Sequence, residues 1–517
     1  MPGPRGRGMT ALLIAGERVL APSELDEQVR RAAIAMASIG IGAGDAVALL
    51  LRNDFPFFAA SLAARRLGAY ATPMNWHATP EEVSYVLRDS GAKLLIGHRD
   101  LLSPLTSLTG LPPVIEAAVP REIAAAYGLT PGASLRGATP WDDWLSGAHC
   151  DALPEQPFGP SAMFYTSGTT GRPKGVRRRP ATPENGAAQQ IILEAAYGLS
   201  ADRPMVVMMT GPMYHSAPNS YGFAAAGLAE TIVLQPRFEA EQLLALVDEH
   251  RVTHMHMVPT MFIRLLKLPE EVRARYDLSS LRFVVHGAAP CPVDVERRMI
   301  EWWGPVINEY YGSTETGLMT AHDSATALAR PGTVGRALPG VTLRILGDDG
   351  KPLPPKGIGD VYVRSEAVPD FTYHGRQDER DAMERDALLT VGDIGWLDEA
   401  GYLFLCDRRR DMIISGGVNI YPAEIESALL AIAGVRDCAV FGIPDDEFGE
   451  SVCAWIEPEE GAVLTGDAVC DALAATLSKF KLPKVVEFAT ELPREDSGKI
   501  FKRRLREPYW SGTDRAI

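Results

Sequence analysis

Over the first 330 residues, short apolar runs with strand character alternate with longer segments of helical period. Residues 46–51, 93–97, 205–209, 252–258 and 281–285 read as buried strands, each followed by turn residues or a helical segment. Strand–helix alternation on this scale predicts parallel sheets with helices over their faces. Thr79-Pro80-Glu81-Glu82 is a strong helix start, with a capping hydroxyl, proline at the first position and acids at the positive dipole end. That helix is predicted to end near Gly91. With 517 residues the chain is also too long for a single core.

From Pro331 to about Cys406 the texture changes to short β-rich runs, such as 341–346 and 360–364, separated by Gly and Pro. After the arginine run at 408–410 the alternation returns. A helix is expected at 422–433, strands at 438–442 and 452–456, and a second helix at 467–479. The predicted class is α/β. Residues 1–407 form a large domain of helix-covered parallel sheets with a β-rich subdomain at about 331–406. A hinge at 408–411 and a small mobile α+β domain at 412–517 follow.

The formal charge is −15, from 51 basic and 66 acidic residues. Such a surface repels phosphate backbones and argues against a nucleic-acid binder. Short basic runs at 177–179, 408–410 and 502–504 read as solvated faces or local anion sites. Cys150, Cys291, Cys406, Cys438, Cys453 and Cys470 show no metal-ligand or redox spacing, so reduced thiols and a cytoplasmic location are expected. The most apolar stretch, 32–51, is interrupted by Ser38, Gly40, Gly42, Gly44 and Asp45, so no integral membrane association is expected. The short apolar run 11–15 near the N-terminus argues against a signal peptide. His254 and His256 share one strand face and read as core or pocket wall.

The loudest chemical signal is Tyr165-Thr-Ser-Gly-Thr-Thr-Gly-Arg-Pro-Lys-Gly175. Its glycines let backbone N–H groups turn toward an anion, its hydroxyls add donors, and Lys174 adds positive charge. The spacing differs from the phosphate loop of nucleotide-triphosphate hydrolases. Five further segments stand beside it: His286-Gly-Ala-Ala-Pro290, Asn308-Glu-Tyr-Tyr-Gly-Ser-Thr-Glu315, Val391-Gly-Asp393, Asp407-Arg408-x-x-Asp411 and Pro493-Arg-Glu-Asp-Ser-Gly-Lys499.

These six segments, in this order, resemble the motifs of adenylate-forming enzymes. The group holds acyl-CoA synthetases, aryl-CoA ligases, peptide-synthetase adenylation domains and beetle luciferases, and the chain is most similar to bacterial AMP-forming acyl-CoA synthetases. The resemblance covers nearly the whole chain. It implies that Thr166, Ser167, Gly168, Thr169, Thr170, Gly171 and Lys174 cradle the phosphates of ATP. Gly287, Ala288, Ala289, Glu309, Tyr310, Tyr311, Gly312, Ser313 and Thr314 would complete the nucleotide site, with the Tyr311 ring on the purine. Asp393 and Arg408 would take the ribose. Thr166 and Glu315 would hold Mg²⁺, and hard oxygen ligands are what that ion prefers.

The implied reaction has two steps: attack of a carboxylate on the α-phosphorus of ATP, then thioester formation with coenzyme A. Two anions must meet in the first step, at a cost of about 1 kcal/mol per charge pair at ~4 Å in water and several times that in a drier site. Lys499 is the expected catalytic cation, with Glu315, His215 and Thr166 as the other catalytic residues. Arg410 stands at the hinge position, where Asp or Lys is commoner in the family. Ser415, Gly416 and Gly417 match the segment on the coenzyme A side.

The resemblance places the acyl pocket at His215, Tyr221, Gly222, Met257, Gly287, Tyr310 and Gly312. The small residues Gly222, Ala224, Ala225 and Ala226 would leave room for an apolar or ring-bearing acid, fatty, aromatic or alicyclic. The segments 215–223, 254–260 and 310–316 hold no Lys or Arg to pair with a second carboxylate. The implied partners are a small carboxylic acid, ATP and coenzyme A, and relatives that dimerise make a homodimer a prior. The alternatives are an adenylating enzyme that loads a carrier protein, a luciferase-like oxygenase, and an inactive nucleotide-binding module. The last would be expected to have lost Lys174, Glu315 or Lys499.

Overall fold

A computed structural model describes residues 9–130, 132–148, 162–166, 173–409, 411–415, 418–445, 447–494 and 500–511. Its centre is a nine-stranded sheet. Six strands run parallel side by side: Ile307–Ser313, Phe283–His286, His254–Met257, Val206–Met209, Thr231–Leu234 and Leu12–Ala15. Gly317–Asp323 and Arg336–Ala337 extend one edge antiparallel, and Arg18–Leu20 extends the other.

Consecutive residues of the central strands are buried, because helices cover both faces. Val207, Met209, Val285 and Tyr310 pack on one side with Tyr197, Tyr221 and Phe57. Met208, Met255, Met257, Val284 and Ile307 pack on the other with Phe262, Met299 and Trp303. A second sheet, of five parallel strands, holds Ala46–Leu50 and Ala92–His98 at its middle. Between these two strands lies the helix Pro80–Ser90. Thr79 caps it as expected: its hydroxyl accepts from Glu82 N at 3.3 Å, and the Glu82 carboxylate accepts from Thr79 N at 2.8 Å.

The β-rich region is a six-stranded antiparallel sheet, from Val341–Leu346 to Leu403–Arg408. Arg408 therefore ends a strand, where the sequence suggested the start of a hinge. The following residues build a five-stranded sheet around the long hairpin Val435–Asp445 and Gly449–Pro458. The helices Pro422–Leu430 and Gly466–Ala474 are shorter than their apolar pattern suggests. After the first, Gly434 takes a positive φ of 90° and turns the chain into the hairpin. After the second, Lys479–Lys481 form a 3₁₀ turn ahead of Pro483. No helix among the described residues is long and apolar enough to cross a membrane. Cys291, Cys406, Cys438, Cys453 and Cys470 are free thiols.

Candidate active site

A cavity of about 1990 Å³ opens on the Tyr310 face of the large sheet. Its wall draws on segments far apart in the chain, from Ser61 and Arg65 to Arg494, Phe501 and Arg504. A three-stranded antiparallel sheet carries one side of it: Phe164–Thr166, Lys174–Arg178 and Phe371–Tyr373. Thr166 pairs directly with Lys174 in that ladder, so both ends of the glycine-rich segment are held together at the cavity.

The Thr166 hydroxyl donates to Glu315 Oε1 at 3.3 Å, and the Tyr373 hydroxyl donates to the same oxygen at 3.0 Å. Lys174 is buried, lies 5.2 Å above the Tyr373 ring and pairs with Glu379. Arg178 belonged to a run that read as a solvated face or a local anion site. It instead turns inward and donates to the carbonyls of Thr314, Glu315 and Pro369. Burial lowers its guanidinium pKa to about 10, against the opposing pull of Glu315 and Asp370. It is a strut under the Thr314–Glu315 turn. Neither Arg178 nor Glu379 could be assigned this place from local sequence, because their partners lie in distant segments.

On the opposite wall, Asp393 and Arg408 are direct partners across an antiparallel ladder, with Arg408 Nε 3.2 Å from Asp393 Oδ1. The Tyr311 hydroxyl donates to the other oxygen of Asp393. Burial and the Asp393 charge push the Tyr311 phenol well above its ordinary pKa, which keeps it a donor. Arg408 faces the cavity, while Tyr311 and Asp393 stand behind it. Gly312, Ser313, Thr314 and Glu315 line the cavity as their strand leaves the sheet. Ala288 does too, in a left-handed conformation (φ 65°) that is costly for a residue with a Cβ. Gly287 and Ala289 do not line it. A Cβ on Gly287 would sit 2.7 Å from the Tyr310 ring and carbonyl, so this crossing admits only glycine. Glu309 is the clearest departure from expectation. Strand alternation turns it to the far face of the sheet, where it accepts from His322 Nε2 at 2.9 Å.

Of the expected acyl-pocket residues, His215, Tyr310 and Gly312 line the cavity. The Tyr310 hydroxyl and His256 Nε2 are 2.9 Å apart. Burial lowers the His256 pKa to about 3, so the ring is neutral. Met257 points into the opposite core, against Phe262. Tyr221 is fully buried behind the wall, edge-on to Tyr197. Gly222 makes room for Met209 and Met213, since a Cβ there would lie 2.9 Å from Met209, and Ala225 and Ala226 are core. Of the small residues, only Ala224 opens onto the cavity, beside Phe223, Ile192 and Leu193. Arg65 and Arg178 also reach the wall, so the lack of cations in the expected pocket segments does not describe the whole cavity.

Ser415 lies in the strand Ile413–Ser415, opposite Gly449 and away from the cavity. Ser167, Gly168, Thr169, Thr170, Gly171, Arg410, Gly416, Gly417 and Lys499 lie outside the described residues. Arg494 and Phe501, on either side of Lys499, line the cavity.

The family model described as AMP-binding enzyme matches residues 6–369, and that of the AMP-binding enzyme C-terminal domain matches 424–499. The chain belongs to the AMP-binding enzyme family. Among characterised AMP-binding enzymes it is 32% identical to the long-chain-fatty-acid–CoA ligase FadD13 of Mycobacterium tuberculosis, over 94% of this chain and 92% of that protein. It is 33% identical to the indoleacetate–CoA ligase of Aromatoleum aromaticum, over 97% and 95%. The crystal structure of ATP-bound MatB from Rhodopseudomonas palustris superposes with a TM-score of 0.82 at 29% identity, covering 97% of this chain and 96% of that one.

Proposed function

We propose that this AMP-binding enzyme is an AMP-forming carboxylic acid–CoA ligase acting on an apolar acid with one carboxylate. The observation that carries the reading is convergence. The strands flanking the glycine-rich segment, Glu315, Arg408 and the two flanks of Lys499 all meet at one cavity. Relatives named as CoA ligases for fatty and aromatic acids support the reaction class. The wall at Ile192, Leu193, Phe223, Val258 and Met261 supports an apolar acyl group.

In the first step a carboxylate oxygen attacks the α-phosphorus of ATP, a new P–O bond forms, and pyrophosphate leaves. Lys499 is the residue assigned to supply the positive charge that offsets the meeting of two anions. Lys174 faces the departing phosphates. Arg178 keeps the Glu315 turn in place through its carbonyl bonds. The Thr166 hydroxyl and the Glu315 carboxylate set hard oxygens side by side, a donor set that fits Mg²⁺, which when bound would neutralise phosphate charge. Arg408 faces the ribose, with Asp393 paired behind it. In the second step the thiol sulfur of coenzyme A attacks the acyl-AMP carbonyl and AMP leaves. His215 stands between the acyl pocket and the thiol path. The division into residues 1–407, a hinge at 408–411 centred on Arg410, and a lid at 412–517 allows the lysine to withdraw between steps and bring 415–417 toward the thiol.

The test is incubation with MgATP, coenzyme A and a panel of medium-chain, long-chain, aryl and sterol-side-chain acids, read by mass. An acyl-CoA product establishes the ligase and names the acid. Pyrophosphate release without acyl-CoA moves the acceptor to a carrier protein. No product and no pyrophosphate with any acid refutes the reading.

A further inference from the structure

Behind the strand Ile307–Ser313, on the face away from the cavity, His286, Glu296, Glu309 and His322 meet in the core. Their residues are 0%, 6%, 6% and 7% exposed. None of them takes part in the reaction described above. The strand Phe283–His286 supplies the first, the helix Val293–Trp303 the second, and the strands Ile307–Ser313 and Gly317–Asp323 the others.

One imidazole nitrogen of His286 and one carboxylate oxygen each of Glu296 and Glu309 lie within 4.8 Å of one another. His286 Nε2 is 3.4 Å from Glu296 Oε1, which is long for a hydrogen bond. It equals the ligand–ligand edge of a tetrahedral site with bonds of about 2.0–2.1 Å. The other nitrogen of His286, Nδ1, has no hydrogen-bond partner among the described residues, so its tautomer is set by whatever Nε2 meets. His322 is held differently. Its Nδ1 faces the Asp323 carbonyl at 3.1 Å, and its Nε2 lies 2.9 Å from Glu309 Oε2 and 3.9 Å from Glu296 Oε1. Two buried carboxylates thus stand beside a buried imidazole, a donor set that a cation would complete.

We propose that His286, Glu296 and Glu309 form a binding site for one divalent cation of the zinc class, with His322 orienting the Glu309 carboxylate. Two oxygens and an imidazole nitrogen suit zinc better than magnesium, which favours an all-oxygen shell. A histidine donating to a ligating carboxylate is the usual outer-shell support. The cation ties two strands to a helix. Ala288 and Tyr310, which follow His286 and Glu309 within two residues, line the cavity wall, so the site acts as a structural brace for that wall. It is separate from the oxygens of Thr166 and Glu315, and the inference stands whether or not the chain is a ligase.

The test is the metal content of the full chain, purified without a metal-affinity tag. Zinc is expected near one per chain. Stripping it with a chelator should lower Tm by a few degrees, and Zn²⁺ alone should restore it. Glu296→Gln should lose the zinc, while Glu315→Gln should keep it. Should Glu296→Gln fail to fold, Co²⁺ added to stripped wild-type protein decides, because tetrahedral cobalt gives intense visible bands. Absence of zinc with no Tm response to Zn²⁺ would overturn the proposal. So would wild-type zinc content in Glu296→Gln, or a cobalt spectrum without tetrahedral bands.

Discussion

Replacing Arg178 with methionine separates stability from activity, because opposing terms offset each other in stability and not in activity. The guanidinium pKa is lowered from 12.5 to about 10, mainly by burial. Holding the cation in place therefore works against the fold by up to about 3 kcal/mol at neutral pH. Its side chain is partly open to the cavity, and water there reduces that figure to about 1–2 kcal/mol. Against this stand the hydrogen bonds to Thr314, Glu315 and Pro369, each worth about 1 kcal/mol once the freed carbonyls take up cavity water. The terms nearly cancel, so Tm of Arg178→Met should move by only a few degrees. Activity has no such cancellation. The bonds to Thr314 and Glu315 hold the turn that presents the Glu315 carboxylate beside Thr166. Losing that anchoring by about 3 kcal/mol lowers kcat/KM for pyrophosphate release about a hundredfold. The assay is acid-dependent pyrophosphate release, with Tm measured on the same preparations. Arg178→Lys should recover little, since one ammonium cannot span three carbonyls. A folded Arg178→Met enzyme adenylating within about twofold of wild type would refute the strut. Because the lowered pKa is still far above neutrality, stability gains from this group begin only as pH rises past about 10.

Gly287→Ala sets a Cβ 2.7 Å from the Tyr310 carbonyl and ring, and backbone cannot yield as a flexible side chain would. It should cost about 1–3 kcal/mol, seen as a lower Tm and weaker ATP binding by calorimetry. His256 has a folded pKa lowered to about 3 by burial, against 6.5 in the unfolded chain. Its contribution is fully present above pH 6.5 and is lost as pH falls toward 3, so His256→Gln should flatten the decline of Tm in that window. Lys499→Ala should abolish pyrophosphate release from acid plus ATP and spare thioester formation from pre-made acyl-AMP; equal loss of both half-reactions would remove the lysine from its assigned role.

Short-range physics made much of this protein legible before any coordinates. The helix at Pro80–Ser90 starts where Thr79 and Glu82 satisfy each other's backbone N–H groups, a contact within four residues. The strands Ala46–Leu50 and Val206–Met209 are apolar without alternation because both faces are covered, and that shows in composition alone. The glycine-rich segment carries its chemistry in adjacent residues. Tertiary structure decided what depends on distance in the chain. Asp393 and Arg408 became neighbours through ladder register, and Arg178 met the carbonyls of Thr314 and Glu315, more than a hundred residues away. The facing of Glu309 was decided by strand phase: one residue's step sends Tyr310 to the cavity and Glu309 to the histidines behind it. Gly222 was decided by packing, since a small residue marks space, and only the fold says whether a ligand or a methionine fills it. Local preference is written in neighbouring residues, whereas the partner of a buried side chain is chosen by which distant surfaces close together.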